Sequence, residues 1–194
     1  SGNVVIFVNL EDFFEQVEKI LEKHEVYLCV SYDTDLMAVE NIAGYTEEWV
    51  AFAKRHSGLK IEIRTKSANK SFISKIDAAE NVIYAFTLSP QPVIESFEHR
   101  TAPLKSRLEC AALAISRKMK VRLAFDPMIY CKDWREAYRE MFEQVCESID
   151  FDSLLDVSVG TFRVSAEYLK KMKKQEPYSP AVQFPFENDS GFYH

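Results

Sequence analysis

Asp33 and Asp35 stand two residues apart directly after the apolar segment Val26-Tyr-Leu-Cys-Val-Ser31. In extended backbone that spacing aims both carboxylates to one side, where they could hold a divalent cation or leave one of the pair a raised-pKa acid; the alternative is a turn or helix-cap role. Lys66 closes Ile61-Glu-Ile-Arg-Thr-Lys66 and reads either as a point charge for an anionic ligand or as a solvated loop lysine. Asp126, ahead of Pro127, is a third carboxylate or simply part of a strand-ending turn. Arg163 follows Gly160-Thr-Phe and is placed to pair with a carboxylate, a phosphate or an acidic neighbour. Glycine-rich dinucleotide and P-loop signatures, the Gly-x-Ser-x-Gly elbow and His-Glu-x-x-His are all absent, so the reactions they mark lose their usual sequence support.

These residues share a position in a repeating pattern. Apolar strands are expected at Val26 to Ser31, Leu59 to Arg64, Val82 to Phe86, Val121 to Phe125 and Leu155 to Val159. Each runs into a polar cluster: Tyr32 to Asp35, Thr65 to Ser67, Thr87 to Pro90, Asp126 to Met128 and Gly160 to Arg163. Helical spacing fills the intervals. Asn9 reads as the N-cap of a helix reaching Lys23, Thr46 opens one that closes near Gly58, and Lys70 to Ile76 forms a short one. Pro90 and Pro92 break the chain before a helix containing Ser106 to Lys118. Asp133 caps a helix whose Trp134, Tyr138 and Phe142 read as one buried stripe, and Ser165 to Lys174 is a charged final helix. Strands alternating with helices build a parallel sheet, which gathers the polar clusters at one rim. A complete eight-unit barrel takes roughly 250 residues, and the chain has 194. The expected fold is therefore α/β, a partial (β/α) barrel of mainly parallel strands with outer helices.

Residues 1–174 are expected to form this domain. In residues 175–194, Pro177, Pro180 and Pro185 argue against regular structure, while Tyr178, Phe184, Phe186, Phe192 and Tyr193 argue for a tail docked on the domain. A net charge of −6 disfavours broad coating of nucleic acid but leaves room for a local basic rim from Lys54 and Arg55, Lys118 to Arg122, or Lys170 to Lys174. Cys29, Cys110, Cys131 and Cys146 are too scattered for a metal motif, so no metal site is expected within the chain. With neither a signal-peptide pattern nor a membrane-length apolar run, the expected location is the cytoplasm.

Several of the same residues carry a family resemblance. The string Val8-Asn-Leu-Glu-Asp12, then Asp35, Thr65-Lys66, Phe97-Glu98 with Thr101 and Arg107, and Pro127 followed by Trp134, Tyr138 and Phe142, resembles radical S-adenosylmethionine enzymes of the spore photoproduct lyase type. The resemblance runs from residue 4 to residue 174. It implies a partial barrel that binds a four-iron cluster and S-adenosylmethionine, cleaves the latter reductively, and uses the deoxyadenosyl radical to abstract hydrogen; in the lyases the substrate is a thymine dimer in spore DNA. By matching position, it implies that Thr34, Lys66 and Thr87 contact S-adenosylmethionine. The family's Cys-x-x-x-Cys-x-x-Cys cluster loop falls before the segment matching residue 4, so the sequence reads as a fragment whose parent protein supplies the cluster ligands, inactive without them. Tyr32 stands where the lyases carry the cysteine that returns a hydrogen atom to the product radical.

Two rival readings come from the residues alone. One is a small-molecule enzyme using Asp33, Asp35 and Asp126 with a divalent metal, since carboxylates suit hard cations. The other is a non-catalytic module whose rim and aromatic tail bind a nucleic acid or a protein.

Overall fold

The structure, a computed structural model, describes residues 6–31, 34–175, 177–179, 182 and 185–193. Five strands, β1 (Val26–Cys29), β2 (Leu59–Thr65), β3 (Val82–Thr87), β4 (Lys120–Met128) and β5 (Asp156–Thr161), lie side by side in chain order, every pair parallel. Parallel neighbours need crossovers, and crossovers of constant hand place their helices on one side of the sheet, which curls into a half-barrel. The crossovers are α2 (Leu36–Ala43) and α3 (Tyr45–Arg55), then α4 (Lys70–Lys75), then α5 (Gln91–Phe97) and α6 (Leu104–Ser116), then α7 (Trp134–Ser148); α1 (Leu10–Leu21) precedes the sheet. This is the expected partial barrel.

The strands read outward and inward by turns. Leu59, Ile61 and Ile63 of β2, with no exposed surface, face the helices, as do Val82, Tyr84 and Phe86 of β3. Above β1 and β2, Phe14 of α1 stacks on Phe52 of α3 at 4.2 Å between ring centres, and Trp49 stands edge-on to both. Local chemistry fixes where the helices begin. The Asp35 carboxylate caps α2, Gly44 ends it at φ +68°, and the buried Glu40 carboxylate accepts the Thr46 and Glu47 amides (2.7 and 3.0 Å) at the start of α3.

Several sequence expectations are corrected. Residues 36–43 form a helix of their own where only a connection was expected. Pro92 does not break the chain: it occupies the first turn of α5, where its missing N–H has no helical partner to lose. Asn9 makes no capping hydrogen bond and donates to the Asp12 carboxylate instead, and Asp133 takes the left-handed conformation at φ 54° without capping α7. Of the aromatic stripe on α7, Tyr138 alone is buried (6% exposed), exchanging hydrogen bonds with the Ile129 backbone, while Trp134 and Phe142 keep 36% and 38% exposure. Steps of four residues drift about 40° per step around a helix of 3.6 residues per turn. The buried line therefore follows Tyr138, Met141 and Val145.

After β5 the chain forms a second, smaller layer. Strand β6 (Val164–Ser165), helix α8 (Ala166–Gln175) and strands β7 (Asn188–Asp189) and β8 (Phe192–Tyr193) make an antiparallel sheet, order β6-β8-β7, over a small cluster of Val164, Leu169 and Val182. The tail thus carries regular structure that its prolines spoke against. Pro177 and Pro185 lie outside the hairpin, and Ser190 and Gly191 supply the two positive φ angles (52° and 90°) that a two-residue hairpin turn requires. Pro180 and Phe184 lie outside the described residues. Among the described residues no helix is long and apolar enough to cross a membrane.

The burial contrast yields a test. Phe86→Ala, in the fully buried centre of β3, should cost about 3–5 kcal/mol, and Phe142→Ala less than half of that. Urea midpoints of the two variants compare them directly, and equal losses would contradict the placement of Phe142.

Candidate functional site

The strand residues facing away from the helices line the concave side of the half-barrel, and they are mostly polar. In β2 these are Lys60, Glu62 and Arg64, with Lys66 just beyond; register places Cys29 beside Glu62, and Ala85 between Arg64 and Arg122, which in turn adjoins Asp156. Glu62 is 3% exposed. Its carboxylate accepts from Tyr27 Oη (2.5 Å), Arg64 Nε (3.1 Å) and Arg122 Nη1 (2.5 Å). Arg122 reaches it from two strands away because Ala85, between them, offers only a methyl group. The same guanidinium forks onto Asp156 through Nε (2.5 Å) and Nη2 (2.7 Å). Hydrogen bonding to Asp156 drives the Arg122 pKa far up, and the reciprocal bond holds the Asp156 carboxyl below its usual range. Burial, reinforced by Glu62, raises the Tyr27 phenol, and burial raises the Cys29 thiol.

Above this ion layer, at the C-terminal strand ends, opens a cavity of about 440 Å³. Thr34, Asp35, Lys66, Thr87 and Asp126, all expected at the rim, line it together with Ser31, Arg64, Thr65, Thr101 and Pro127. Asp35 serves the framework: besides capping α2, its carboxylate accepts from Thr65 Oγ1 and the Lys66 amide (both 2.7 Å). Ser31 ties the same two strand ends, accepting from the Arg64 amide and donating to its carbonyl. These bonds commit Asp35 to the rim itself and remove it from the divalent-metal reading. Asp33 and Tyr32 lie outside the described residues.

Lys66 is held by a buried ion cluster. Its ammonium sits 2.9 Å from Glu98 Oε1, while Arg107, with no exposed surface, meets Glu98 Oε2 at 2.6 Å. Arg107 also donates to the carbonyls of Thr87 (2.9 Å) and Ala102 (2.7 Å) and to Thr101 Oγ1 (2.7 Å), and Ser89 Oγ donates to Glu98 at 2.9 Å. Burial opposes ionisation of Glu98, but the neighbouring Lys66 and Arg107 charges and their hydrogen bonds outweigh it, so its carboxyl lies below the usual 4.5. Glu98 thus serves two cations, and Lys66 lines the cavity wall together with Arg64 and the Asp35 and Asp126 carboxylates.

Arg163 is brought elsewhere. It lines a second cavity of about 620 Å³ with Thr161, Phe162, Asp189, Ser190 and Phe192; Asp126 and Pro127 belong to both cavities, so the two adjoin. Asp126 also meets Arg64 Nη1 at 3.5 Å. The Asp126–Pro127 peptide is cis. At Gly160 of β5 a Cβ would stand 2.7 Å from Asp126 Oδ1, so glycine there leaves the carboxylate its place. Sequence reading passed over Glu62, Arg64 and Tyr27, and read Arg122 as part of a basic rim where the structure pairs it with Glu62 and Asp156. The signal was present in Lys60, Glu62, Arg64 and Lys66, charges at every second position of a strand with apolar residues between them, which mark a polar inner face.

A parallel half-barrel with outer helices and a polar cavity at the C-terminal strand ends defines a partial-barrel scaffold of the radical S-adenosylmethionine type. The sequence profile of spore photoproduct lyase matches residues 2–179, and the chain belongs to that family. It is 22% identical over 177 residues to the spore photoproduct lyase of Clostridium acetobutylicum, covering 90% of this chain and 52% of that protein. It is 21% identical over 157 residues to the Bacillus subtilis enzyme, covering 78% and 45%. The chain thus spans about half the length of the curated relatives it matches. Its fold matches a solved spore photoproduct lyase variant with bound AdoMet and dinucleoside spore photoproduct at TM-score 0.80 and 16% identity, covering 97% of this chain and 59% of that one. A spore photoproduct lyase complexed with dinucleoside spore photoproduct gives TM-score 0.81 at 16% identity.

The two groups that the family uses fare differently against these residues. A cationic ammonium among hydroxyls suits the carboxylate and ribose of S-adenosylmethionine. An iron-sulfur cluster needs several thiolates together. Cys110 is buried in α6, Cys146 is exposed on α7, and among the described residues no three His, Cys, Asp or Glu side chains gather to hold a metal ion.

The Glu98 cluster yields the next test. Arg107→Met should cost about 3–5 kcal/mol near neutral pH, because it leaves a buried carboxylate short of one of its two cations. A carboxyl with a lowered folded pKa stabilises fully above its unfolded value, near 4.5, and loses that contribution as pH falls through the folded value. The gap between wild type and Arg107→Met should therefore narrow below pH about 4.5; denaturant titrations across that range check it.

Proposed function

We propose that this chain is the cofactor-holding half-barrel of an S-adenosylmethionine-dependent radical enzyme resembling spore photoproduct lyase, acting on a thymine lesion in cytoplasmic DNA. The observation that carries this reading is the position of Lys66 at the cavity wall, held there by a carboxylate that it shares with the buried Arg107. Lys66 would take the carboxylate of S-adenosylmethionine, and the hydroxyls of Thr34 and Thr87 its remaining polar groups. Beside a reduced iron-sulfur cluster, which would donate the one electron that cleaves it to methionine and a deoxyadenosyl radical, S-adenosylmethionine would supply the radical that starts hydrogen abstraction. This chain's own part is to bind and orient it: Asp35 and Ser31 lock the strand ends that present Lys66 and Thr34, and Arg107 holds Thr87 and Thr101 in place.

The second cavity suits the lesion. Phe162 and Phe192 offer apolar walls, Arg163 a cation, and Thr161 and Ser190 hydroxyls, next to the first cavity across Asp126. One solved relative holds both AdoMet and a dinucleoside spore photoproduct, and two adjoining cavities suit two such ligands. The thiolates for a cluster must come from outside the described residues, so the chain alone should be inactive. Within this reading the partial barrel comprises the chain through β5, and β6 and α8 belong with the tail hairpin to the small layer that follows it.

Lys66→Ala should weaken S-adenosylmethionine binding roughly tenfold or more in the cluster-bearing full-length protein, the loss of one charge-assisted contact. Titration calorimetry on wild type and variant measures it. Equal affinities would remove Lys66 from the site.

A further inference from the structure

The second cavity ends where α8 begins. The Ala166 amide donates to the Gly191 carbonyl (3.4 Å), between the cavity-lining Ser190 and Phe192, and the Tyr168 amide donates to Ser165 Oγ (3.3 Å). From that edge α8 runs outward carrying Lys170, Lys171, Lys173 and Lys174, all exposed. With Arg163, residues 161–175 hold five cations against the single carboxylate of Glu167, a local +4 in a chain whose net charge is −6. At 100° per residue the four lysines occupy one arc of the helix, opposite the edge where Leu169 is buried and Met172 packs on the same small cluster.

Helix stability accounts for only part of this arc: Glu167 stands three and four residues before Lys170 and Lys171, a favourable spacing, but among the described residues no ion pair joins them. The macrodipole favours Lys173 and Lys174 in the last turn, but Lys170 and Lys171 lie before it. Lys170 also repels Lys173 and Lys174 at spacings of three and four, which disfavours the helix. The ion pairs among the described residues engage none of the four.

We infer that the lysine face of α8 is a docking surface for the phosphodiester backbone of the DNA strand whose lesion occupies the second cavity. This rests on the proposed function and adds the surface that holds the flanking DNA. At 1.5 Å per residue, Lys170 and Lys174 lie roughly 6 and 12 Å along the axis from Ala166. DNA advances about 3.4 Å per nucleotide, so these lysines meet phosphates about two to four nucleotides from the lesion. A dinucleoside is too short to reach them.

The test compares dinucleoside spore photoproduct with an oligodeoxynucleotide of about twelve nucleotides carrying the same lesion. Both are titrated at several salt concentrations into wild type, into a variant combining Lys170→Gln, Lys171→Gln, Lys173→Gln and Lys174→Gln, and into the matching four-arginine variant. The glutamine variant should lose about tenfold or more in oligonucleotide affinity at low salt, and its salt slope should fall by about 2–3, near 0.7 for each lost single-strand phosphate contact. Dinucleoside binding should stay unchanged, and the arginine variant should keep wild-type affinity and slope. If wild type binds both ligands and the glutamine variant matches it on the oligonucleotide, this surface is excluded and the proposed function stands. If wild type binds the dinucleoside no less tightly than the oligonucleotide, the surface is likewise excluded. If wild type binds neither ligand, the reading of a DNA lesion as substrate falls and this inference falls with it.

Discussion

Arg107 brings a full positive charge to a position with no solvent exposure, and the architecture of the rim follows from how that charge is answered. An isolated buried guanidinium is strongly unfavourable, so its donors need partners. Four of the five N–H groups are met, by Glu98, by the Thr101 hydroxyl and by the carbonyls of Thr87 and Ala102, which come from the end of β3 and from the loop between α5 and α6. A single side chain thereby sets the relative positions of elements that have no hydrogen-bond ladder between them. Glu98 then needs a second cation for its other oxygen, and Lys66 at the end of β2 provides it. The residue best suited to meet an anionic ligand is held in place by the group that neutralises the buried arginine.

The inner face of the sheet obeys a related constraint. Closed barrels fill their interior with layers of branched aliphatic side chains. Here the strands close only partway, and the inner face carries Glu62, Arg64, Arg122 and Asp156 in a continuous ion layer. Small residues make the layer possible: Ala85 lets Arg122 cross to Glu62, and Gly160 lets Asp126 lie close against β5. The result is a rigid polar floor beneath the cavity, with each buried charge paired. That floor holds Arg64 toward Asp126 at the boundary of the two cavities.

The two cavities divide the chain's work between its layers. The first is built wholly from strand ends and loops of the parallel sheet. The second needs the antiparallel β6-β8-β7 layer, whose hairpin supplies Asp189, Ser190 and Phe192. Asp126 joins them because it stands at the end of β4, where the register with β5 shifts.

The sequence alone determined the five strands in order, the parallel sheet and the rim, because strand and helix periodicities and the polar clusters after each strand are local signals, but not α2 or the β6-β8-β7 layer. It also placed Thr34, Asp35, Lys66, Thr87 and Asp126 at that rim, since each follows a strand. It left open what each side chain does there. Only the tertiary structure turned Asp35 from a candidate ligand into the clasp between β1 and β2, sent Arg163 to a second cavity, and exposed Trp134 and Phe142 while burying Tyr138. It alone paired Glu62 with Arg122 across sixty residues and Lys66 with Glu98 across thirty-two. Those outcomes depend on which strands become neighbours and on how far a side chain reaches across the sheet, and neither distance is written in the local pattern of residues.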